Sequence, residues 1–314
     1  MNQLIKHNMF NGVIVINKPK DISSFGVVKR VKKRFGTKKT GHIGTLDPFA
    51  QGVLPIALGK ATKLIPFIQG GKKIYEGTIF LGVKTNTLDA TGDIIGEKRI
   101  DKAFISEDKI KEAMTTFVGE YQQIPPMFSA LKKDGVPLYK LARQGISVER
   151  KARKVKIYEF KLIKFLFPRV FFEVSVSSGT YIRSLASDFA EKLKTYGYLE
   201  SLVRVFSDGF SIEKATPLFE IELMPVNLAK KMIIPMEELL GDLPRVRPSL
   251  KALKRIEHGQ EVLIDEFESN KDVNHYDKVM VISPKGSLLA IAKLVKGEKG
   301  GYIKPIKVFN NLKN

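Results

Sequence analysis

The chain has 314 residues, of which 43% are apolar and 27% are charged, the balance of a folded globular protein. Lysine and arginine number 53 against 33 aspartates and glutamates, so the formal net charge is +20 and the expected partner is a polyanion. The sequence contains no cysteine, which excludes disulfide scaffolds, thiolate-bound zinc, iron–sulfur clusters and enzymes with a cysteine nucleophile.

Metal and membrane partners are disfavoured by the same composition. The four histidines are His7, His42, His258 and His275, and no two of them stand at a metal-ligand spacing, so we expect no metal site. The sequence has no apolar run of about 18 residues that could span a bilayer, and no short apolar segment with a cleavage site. We therefore favour nucleic acid over an anionic membrane surface as the partner, and we expect a cytoplasmic protein.

The first predicted element is an amphipathic helix with a basic outer face. Ser23 and Ser24 are candidate caps, and Gly36 ends the helix after Phe35. Its apolar face repeats at helical spacing through Val28, Val31 and Phe35. The rest of its surface is basic: Lys29, Arg30, Lys32, Lys33 and Arg34, followed by Lys38 and Lys39. We interpret this face as a phosphate contact, with a merely solvated charged face as the alternative.

A glycine-rich loop and a strand come next. Residues 41–52 contain three glycines and one proline, a composition typical of a loop with special backbone demands. Pro48 favours an extended conformation at Asp47. Considered alone, Asp47 would be interpreted as a carboxylate that caps its own loop. Residues 73–81 are β-like, and Tyr75 falls near the beginning of that strand.

Two further helices and a strand are predicted in the middle of the chain. Ser106 is the expected N-cap of one helix and Gly119 its stop. Residues 170–177 alternate as a half-buried strand, and residues 178–180 turn the chain into the next helix. The apolar stripe of that helix is Ile182, Leu185, Ala186, Phe189 and Leu193. Arg183 lies off this stripe, at the helix N-terminus.

The pattern of predicted elements changes between residues 241 and 244. A short helix is predicted over 249–258, followed by short β-like runs over 261–264, 278–282, 288–294 and 302–309. This pattern is typical of a small β-rich module, either a barrel or a sandwich. We therefore predict two domains, over residues 1–243 and 244–314.

Five segments together carry a resemblance to a known family. They are KPKDISS, GHIGTLDPFAQGVLPIALGKATK, KKIYEGTIFLGVKTNTLDATGD, IPPMFSALKKDGVPLYKLARQG and SSGTYIRSLASDFA. In this order they resemble the successive motifs of the TruB-type pseudouridine synthases, which isomerise one uridine in the T-loop of tRNA. The resemblance implies an α+β pseudouridine synthase fold, with a mixed and largely antiparallel sheet flanked by helices. It also implies a small C-terminal β-barrel similar to a PUA domain, directed at RNA.

The resemblance assigns the catalytic roles to three residues. Asp47 matches the essential aspartate that works at C1′ of the target nucleoside, by direct attack or by assisting elimination to a glycal; a carboxylate suits both routes. Tyr75 matches the tyrosine that stacks on the flipped base and is a candidate for removing the proton from C5. Arg183 matches the arginine that pairs with the catalytic carboxylate. Without the resemblance, Tyr75 would be interpreted as a core aromatic and Arg183 as a residue of a polar helix face.

Four more residues are implied as substrate contacts. His42 matches a histidine that helps to extrude the uridine from its stack. Asp89 corresponds to an aspartate that contacts the substrate, and Tyr181 to a further residue of the pocket. Leu202, in the string LVRVFSDGF, corresponds to a wall of the pocket. Considered alone, His42 is a turn residue between two glycines and Tyr181 is a core aromatic.

The chain departs from the family pattern at three positions. Relatives usually have glycine where Asp21 stands, and more often have glycine where Asp208 stands and a second arginine where Val203 stands. The turn at Asp21 is therefore expected to differ from that of the family.

The resemblance also implies what accompanies the reaction. Isomerisation is redox-neutral, so we expect no cofactor and no metal, and we expect tRNA, through its T-arm, to be the partner. We expect a monomer with no obligatory protein partner. Two alternatives stay open: a dyskerin-like synthase that depends on a guide RNA and a protein complex, and an RNA-binding or RNA-folding protein without catalysis on the same scaffold.

Overall fold

The computed structural model of the protein describes residues 10–269, 273, 275–295 and 301–309. His7 lies outside these residues. The α-helices are α1 (Ser24–Phe35), α2 (Ile65–Ile68), α3 (Glu107–Thr115), α4 (Leu138–Arg143), α5 (Ile182–Lys192), α6 (Leu218–Leu223), α7 (Val226–Lys231) and α8 (Leu250–Glu257). In the described part of the chain, no helix is both long and apolar enough to cross a membrane.

The β-strands fall into a large group before Pro235 and a smaller group after it. The first group is β1 (Gly12–Lys18), β2 (Thr40–His42), β3 (Gln51–Leu58), β4 (Lys73–Leu81), β5 (Val83–Thr85), β6 (Ile94–Glu97), β7 (Gly119–Gln123), β8 (Lys132–Lys133), β9 (Val136–Pro137), β10 (Arg153–Leu166), β11 (Arg169–Val176), β12 (Gly197–Ser207), β13 (Phe210–Ser211), β14 (Thr216–Pro217) and β15 (Ile234–Pro235). The second group is β16 (Arg245–Pro248), β17 (Val262–Leu263), β18 (Phe267–Ser269), β19 (Lys278–Ile282), β20 (Leu288–Val295) and β21 (Tyr302–Val308).

One large sheet organises the part of the chain before Pro235. Eleven strands within the described residues join it, in the main order β14-β1-β3-β12-β4-β11-β10-β7. The pairs β1–β14 and β3–β12 are parallel, and the remaining pairs along this order are antiparallel. The prediction of a mixed, largely antiparallel sheet is confirmed. Because β12 lies between β3 and β4, it brings residues distant in sequence to the middle of the sheet.

The main hydrophobic core lies between this sheet and the helices on one of its faces. It joins buried side chains of β1, β3, β4, β11 and β12 to those of α1, α3 and α5. Helix α5 contributes Ile182, Leu185, Ala186 and Phe189, the predicted stripe, and Leu193 packs against the same core. On β4, Tyr75, Ile79 and Leu81 are buried in this core.

The second sheet has six strands within the described residues, in the order β17-β21-β20-β19-β16-β18. Helix α8, capped by Ser249, packs on a separate core within this sheet through Ala252 and Ile256. The barrel-like arrangement confirms the predicted small C-terminal β-barrel. The predicted strands at 278–282, 288–294 and 302–309 form, whereas 261–264 contributes only the two residues of β17.

A third hydrophobic cluster joins the two sheets. It combines Val13, Val15 and Val53 of the large sheet with residues of the second sheet and its end: Met280, Ile282, Leu288, Ile291 and Phe309. These side chains are nearly all inaccessible to solvent. The second sheet therefore covers apolar residues on the back of β1 and β3, so the two predicted domains share buried surface.

Local predictions succeeded where caps and periodicity agreed. Helix α1 begins after Ser23, whose side chain accepts a hydrogen bond from the Gly26 N–H, and it ends at Gly36 in the left-handed conformation. Helix α3 has Ser106 as its N-cap as predicted, but it ends at Thr115, so Gly119 begins β7 instead of stopping the helix. The predicted loop over 41–52 is shorter in the structure: Gly41 and His42 belong to β2, which pairs with β3, and Gln51 and Gly52 begin β3.

Candidate active site

The loop between β2 and β3 holds Asp47 in a fixed backbone. The Ser24 hydroxyl donates to the Leu46 carbonyl and accepts from the Leu46 N–H, both at 2.8 Å. On the other side of Asp47, the Pro48 carbonyl accepts a hydrogen bond from the Asp21 N–H at 2.9 Å. Ser24, the first residue of α1, and the turn before this helix therefore hold the residues on either side of Asp47 in place. The Asp47 side chain itself remains one-third exposed, at 33%.

Arg183 is the buried partner of Asp47. Its Nε donates to Asp47 Oδ2 at 2.8 Å, Nη1 to the Thr87 carbonyl at 3.0 Å, and Nη2 to the Phe128 carbonyl at 2.9 Å. Only 5% of the Arg183 side chain is exposed, although the sequence placed it off the apolar stripe of α5. Because three nitrogens donate to three acceptors on separate segments, the planar guanidinium fixes the direction of the Asp47 carboxylate.

Asp89 provides a second carboxylate beside Arg183. Its Oδ2 lies 3.5 Å from Arg183 Nε, and 6% of its side chain is exposed. Its Oδ1 accepts hydrogen bonds from the Thr91 hydroxyl at 2.6 Å, the Thr87 hydroxyl at 2.7 Å and the Thr91 N–H at 2.9 Å. Asp89 is therefore held by its own turn, whereas Asp47 is the more exposed of the two carboxylates.

Tyr75 and Leu202 lie on neighbouring strands facing the same cavity. In the register of β4 and β12, Tyr75 pairs with Arg204 and Leu202 pairs with Gly77. Tyr75 is 6% exposed and Leu202 is 5% exposed. Burial raises the pKa of the Tyr75 hydroxyl, and Arg204 partly opposes this shift by its charge and a hydrogen bond. The phenol is therefore protonated at neutral pH.

Arg204 was given no role by the sequence analysis, yet it is fully buried. Its guanidinium donates to the carbonyls of Val53 at 2.8 Å, Thr45 at 3.1 Å and Gly44 at 3.1 Å. It thereby ties β12 to the chain before Asp47. The sequence patterns predicted no strand over residues 197–207, so nothing in them placed Arg204 on the same face as Leu202.

Lys18 was also missed, and it is fully buried at the end of β1. Its ammonium donates to the carbonyls of Pro19 at 2.8 Å, Ile22 at 2.9 Å and Pro48 at 3.0 Å. Burial lowers the pKa of Lys18 to about 8, although the nearby Asp47 carboxylate acts to raise it. Lys18 therefore joins the turn around Asp21 to the residue that follows Asp47.

Tyr181 precedes the first residue of α5 and is held from two sides. Its N–H donates to the Gln123 Oε1 at 2.8 Å, and its carbonyl accepts from Gln123 Nε2 at 3.0 Å. The guanidinium carbon of Arg153 lies 4.6 Å from the centre of the Tyr181 ring, a cation–π arrangement. These contacts leave the half-buried ring at the edge of the cavity.

His42 lies on β2, opposite Ile56 of β3. Burial and the charge of Arg204 lower its pKa, and its buried Nδ1 has no hydrogen-bond partner among the described residues. His42 is not among the residues that line the cavity around Asp47. It is therefore the one predicted site residue that the structure keeps apart from the others.

The other predicted site residues line a single cavity of about 650 Å³. They are Asp47, Tyr75, Asp89, Tyr181, Arg183 and Leu202. The described residues contain no cluster of three or more metal-ligating side chains. The cavity thus combines an exposed carboxylate, a guanidinium that orients it and a buried aromatic ring, an arrangement suited to a flat polar ring attached to a sugar.

Two solved structures share this fold over nearly the whole chain. One is an H/ACA RNP bound to a substrate RNA containing 2′-deoxyuridine, with a TM-score of 0.72 and 26% identity over 98% of this chain and 88% of that chain. The other is a Cbf5-Nop10-Gar1 complex, with a TM-score of 0.72 and 27% identity over the same shares. Fold and site together define the class of the protein as a pseudouridine synthase, an enzyme that isomerises uridine in RNA.

Sequence comparisons narrow this class. A profile of the TruB family pseudouridylate synthase (N terminal domain) matches residues 32–182. The tRNA pseudouridine synthase B of Syntrophotalea carbinolica is 36% identical over 96% of this chain and 98% of its own length. The protein of that name from Geobacillus thermodenitrificans is 37% identical over 95% and 99%. The chain belongs to the TruB family of pseudouridylate synthases.

Proposed function

We propose that this chain converts uridine 55 in the T-loop of tRNA to pseudouridine, with Asp47 acting at C1′ of the target nucleoside. The observation that carries the proposal is the hydrogen bond from Arg183 Nε to Asp47 Oδ2 inside a cavity that also holds Tyr75. The net charge of +20 suits a polyanionic substrate, and relatives of nearly the same length bear tRNA in their names.

Asp47 has one oxygen for orientation and one for chemistry. Arg183 engages Oδ2, whereas Oδ1 accepts no hydrogen bond from the described residues. In the direct route, a carboxylate oxygen attacks C1′ and the C1′–N1 bond breaks with its electron pair leaving on the uracil. In the glycal route, the carboxylate instead assists elimination across the sugar ring. Both routes then rotate the uracil and join C5 to C1′, with no net oxidation and no added reactant.

Tyr75 contributes first as a surface for the base. Its buried ring can stack on a flipped uracil, which replaces the stacking lost from the RNA. Its raised pKa makes the phenol a poor base on its own. Removal of the C5 proton by Tyr75 therefore requires the neighbouring Arg204 to stabilise the developing phenolate. Asp89, Tyr181 and Leu202 complete the pocket.

His42 has a different part in the proposal. It lies outside the cavity lining but five residues before Asp47, so we assign it to extrusion of the uridine before the base enters the pocket. A neutral imidazole, favoured by its lowered pKa, can interact with a base without repelling nearby cations.

We further propose that the enzyme is a monomer in the cytoplasm and needs no guide RNA or protein partner. The support is its similarity to tRNA pseudouridine synthase B over almost the whole length of both chains, at 36% and 37% identity. The second sheet, within the predicted domain 244–314, is assigned to peripheral phosphate contacts because lysines lie on its exposed face.

The direct test uses the purified chain, an unmodified tRNA transcript and a readout of pseudouridine by position. We expect stoichiometric conversion at position 55 without a guide RNA, and none with Asp47→Asn although that variant binds tRNA normally. Asp108→Asn, an exposed change in the first turn of α3, is the matched control and should be fully active.

The opposing outcomes are distinct. Conversion that appears only with guide RNA and partner proteins would place the chain with the Cbf5-type complexes. Binding without conversion under any condition would support the non-catalytic alternative. Substantial turnover by Asp47→Asn would remove Asp47 from its assigned role while leaving the substrate assignment intact.

A further inference from the structure

Asp208 stands at the end of β12 in a backbone conformation that favours glycine, with φ at 54°. Its side chain is completely buried. Its Oδ1 accepts hydrogen bonds from the Gly71 N–H at 2.9 Å and the Gly70 N–H at 3.1 Å, and its Oδ2 accepts from the Ser207 hydroxyl at 2.8 Å. Glycine would close this turn with less strain. The turn alone therefore does not account for a buried carboxylate with three hydrogen-bond donors.

The partner of Asp208 is Lys73, the first residue of β4. Lys73 Nζ lies 3.2 Å from each carboxylate oxygen of Asp208, and 7% of its side chain is exposed. Lys73 also lines the cavity of Asp47, two residues before Tyr75 on the same strand face. A buried ion pair therefore forms part of the wall behind the proposed catalytic groups.

Arg204 belongs to the same charged cluster. The three side chains surround the same side of Gly44. A Cβ atom built on this glycine would lie 3.4 Å from Lys73 Cε, 3.5 Å from Arg204 Nη1 and 3.8 Å from Asp208 Oδ2. Arg204 donates to three carbonyls, and its guanidinium forms no ion pair within the described residues. Asp208 thus pairs with Lys73 beside Gly44, three residues before Asp47, and the buried Arg204 guanidinium contacts the same glycine.

We propose that Asp208 is a positioning residue for the reaction: its carboxylate pairs with the Lys73 ammonium, and so leaves Asp47 paired with Arg183 alone. The inference rests on the proposed function, because it concerns the geometry of Asp47 in that chemistry. Without Asp208, the carboxylates that share the cavity wall with Lys73 are Asp47 and Asp89, and Asp89 is already held by the hydrogen bonds of its own turn. Competition between Lys73 and Arg183 for Asp47 would turn the nucleophile away from C1′.

The prediction follows from removing the charge while keeping the shape. In Asp208→Asn, the amide oxygen can still accept from Gly70 and Gly71, but the Lys73 ammonium loses its counter-charge. We expect the single-turnover rate at saturating tRNA to fall about tenfold or more, within the range of coupled neighbours, and the tRNA dissociation constant to change less than about twofold.

The decisive variant is the double substitution Lys73→Met/Asp208→Asn. Removing both charges of a buried pair costs less than leaving one of them unpaired, so the second substitution should restore most of the rate lost in the first. A role limited to holding the Gly70–Gly71 turn cannot give this rescue, because methionine adds nothing to the turn. Glu200→Gln is the matched control. Glu200 also lies on β12, and this change removes its charge from the surface pair with Arg169 of β11, so the rate should stay unchanged.

Hydrogen exchange of the peptide covering residues 69–74 provides a readout that does not depend on activity. We expect its protection to be retained in Asp208→Asn and in the double variant. A wild-type rate in Asp208→Asn, or a double variant no faster than Asp208→Asn, would overturn the inference. Loss of protection together with loss of rate would show a structural role only. A wild-type protein that modifies no tRNA would instead contradict the proposed function, and exchange would still report whether Asp208 holds the turn.

Discussion

Arg183→Lys is the most informative single change in the cavity, because it keeps the charge and removes the planar fork. Arg183 donates from three nitrogens to Asp47, Thr87 and Phe128 at 2.8 to 3.0 Å. One ammonium nitrogen cannot occupy three positions. We expect lysine to satisfy one of the three acceptors and to leave the carboxylate without a fixed direction.

The expected magnitude follows from the bonds that are lost. A hydrogen bond to a charged group contributes about 1.5–3 kcal/mol, so losing the bond to Asp47 corresponds to a rate decrease of roughly 10- to 150-fold. If lysine keeps one of the two carbonyls, the other is left without a donor at a cost of about 1–3 kcal/mol, so the free energy of unfolding should fall by about that amount. The fold should persist, because a decrease of this size lies below the usual stability of a domain.

Single-turnover kinetics on unmodified tRNA, with urea unfolding of the same samples, checks both numbers. Arg169→Lys is the matched control, since Arg169 also pairs with a carboxylate through Nε, at 2.9 Å from Glu200, but its side chain is 45% exposed. Exposed pairs contribute about 0–1 kcal/mol, so this control should alter neither measurement appreciably. Near wild-type turnover in Arg183→Lys would refute the role of the fork in orienting Asp47.

Three further predictions use other parts of the molecule. Lys18 should titrate near pH 8 in the native protein by NMR; because the unfolded chain holds that proton more tightly, the contribution of Lys18 to the free energy of unfolding should increase as pH rises from about 8. Tyr75→Phe should bind tRNA normally but turn over slowly, since stacking remains and the hydroxyl is lost; equal turnover would assign C5 deprotonation to another group. Alanine at Lys278, Lys293 and Lys304, which are cross-strand neighbours, should make the slope of log affinity against log salt shallower by roughly 0.7–0.9 per lost phosphate contact, and an unchanged slope would remove this face from the RNA contacts.

The sequence predicted the elements whose signals were local. Ser23 and Ser106 cap their helices as predicted. A serine hydroxyl just before a helical apolar repeat can accept a hydrogen bond from a backbone N–H of the first turn. The β-like run over residues 73–81 predicted strand β4 with Tyr75 near its beginning. The resemblance pointed to seven site residues, and six of them line one cavity.

Long-range contacts were beyond the reach of the sequence. Arg204 and Lys18 are buried cations whose partners are backbone carbonyls up to 160 residues away, and carbonyls carry no signature in a sequence. Without the resemblance, Arg183 would be interpreted as a residue of a polar helix face, but it donates to carbonyls in turn and loop segments far away in sequence, at Thr87 and Phe128. Only the tertiary fold distinguishes a buried arginine from a solvated one at such a position.

The hydrophobic cluster between the two sheets limits what a truncation can show about the separate roles of the two predicted domains. A truncation after Gly241 would remove Met280, Ile282 and Phe309 and expose Val13 and Val53, which are now fully buried on the back of the large sheet. Exposing this much apolar surface destabilises β1 and β3, and β3 directly follows the loop that carries Asp47. Lost turnover in a truncated protein would therefore report damage to the Asp47 loop as readily as lost RNA contacts. Substitution of exposed lysines on β19, β20 and β21 separates the two effects, because it changes the charge facing the RNA and leaves the shared cluster intact.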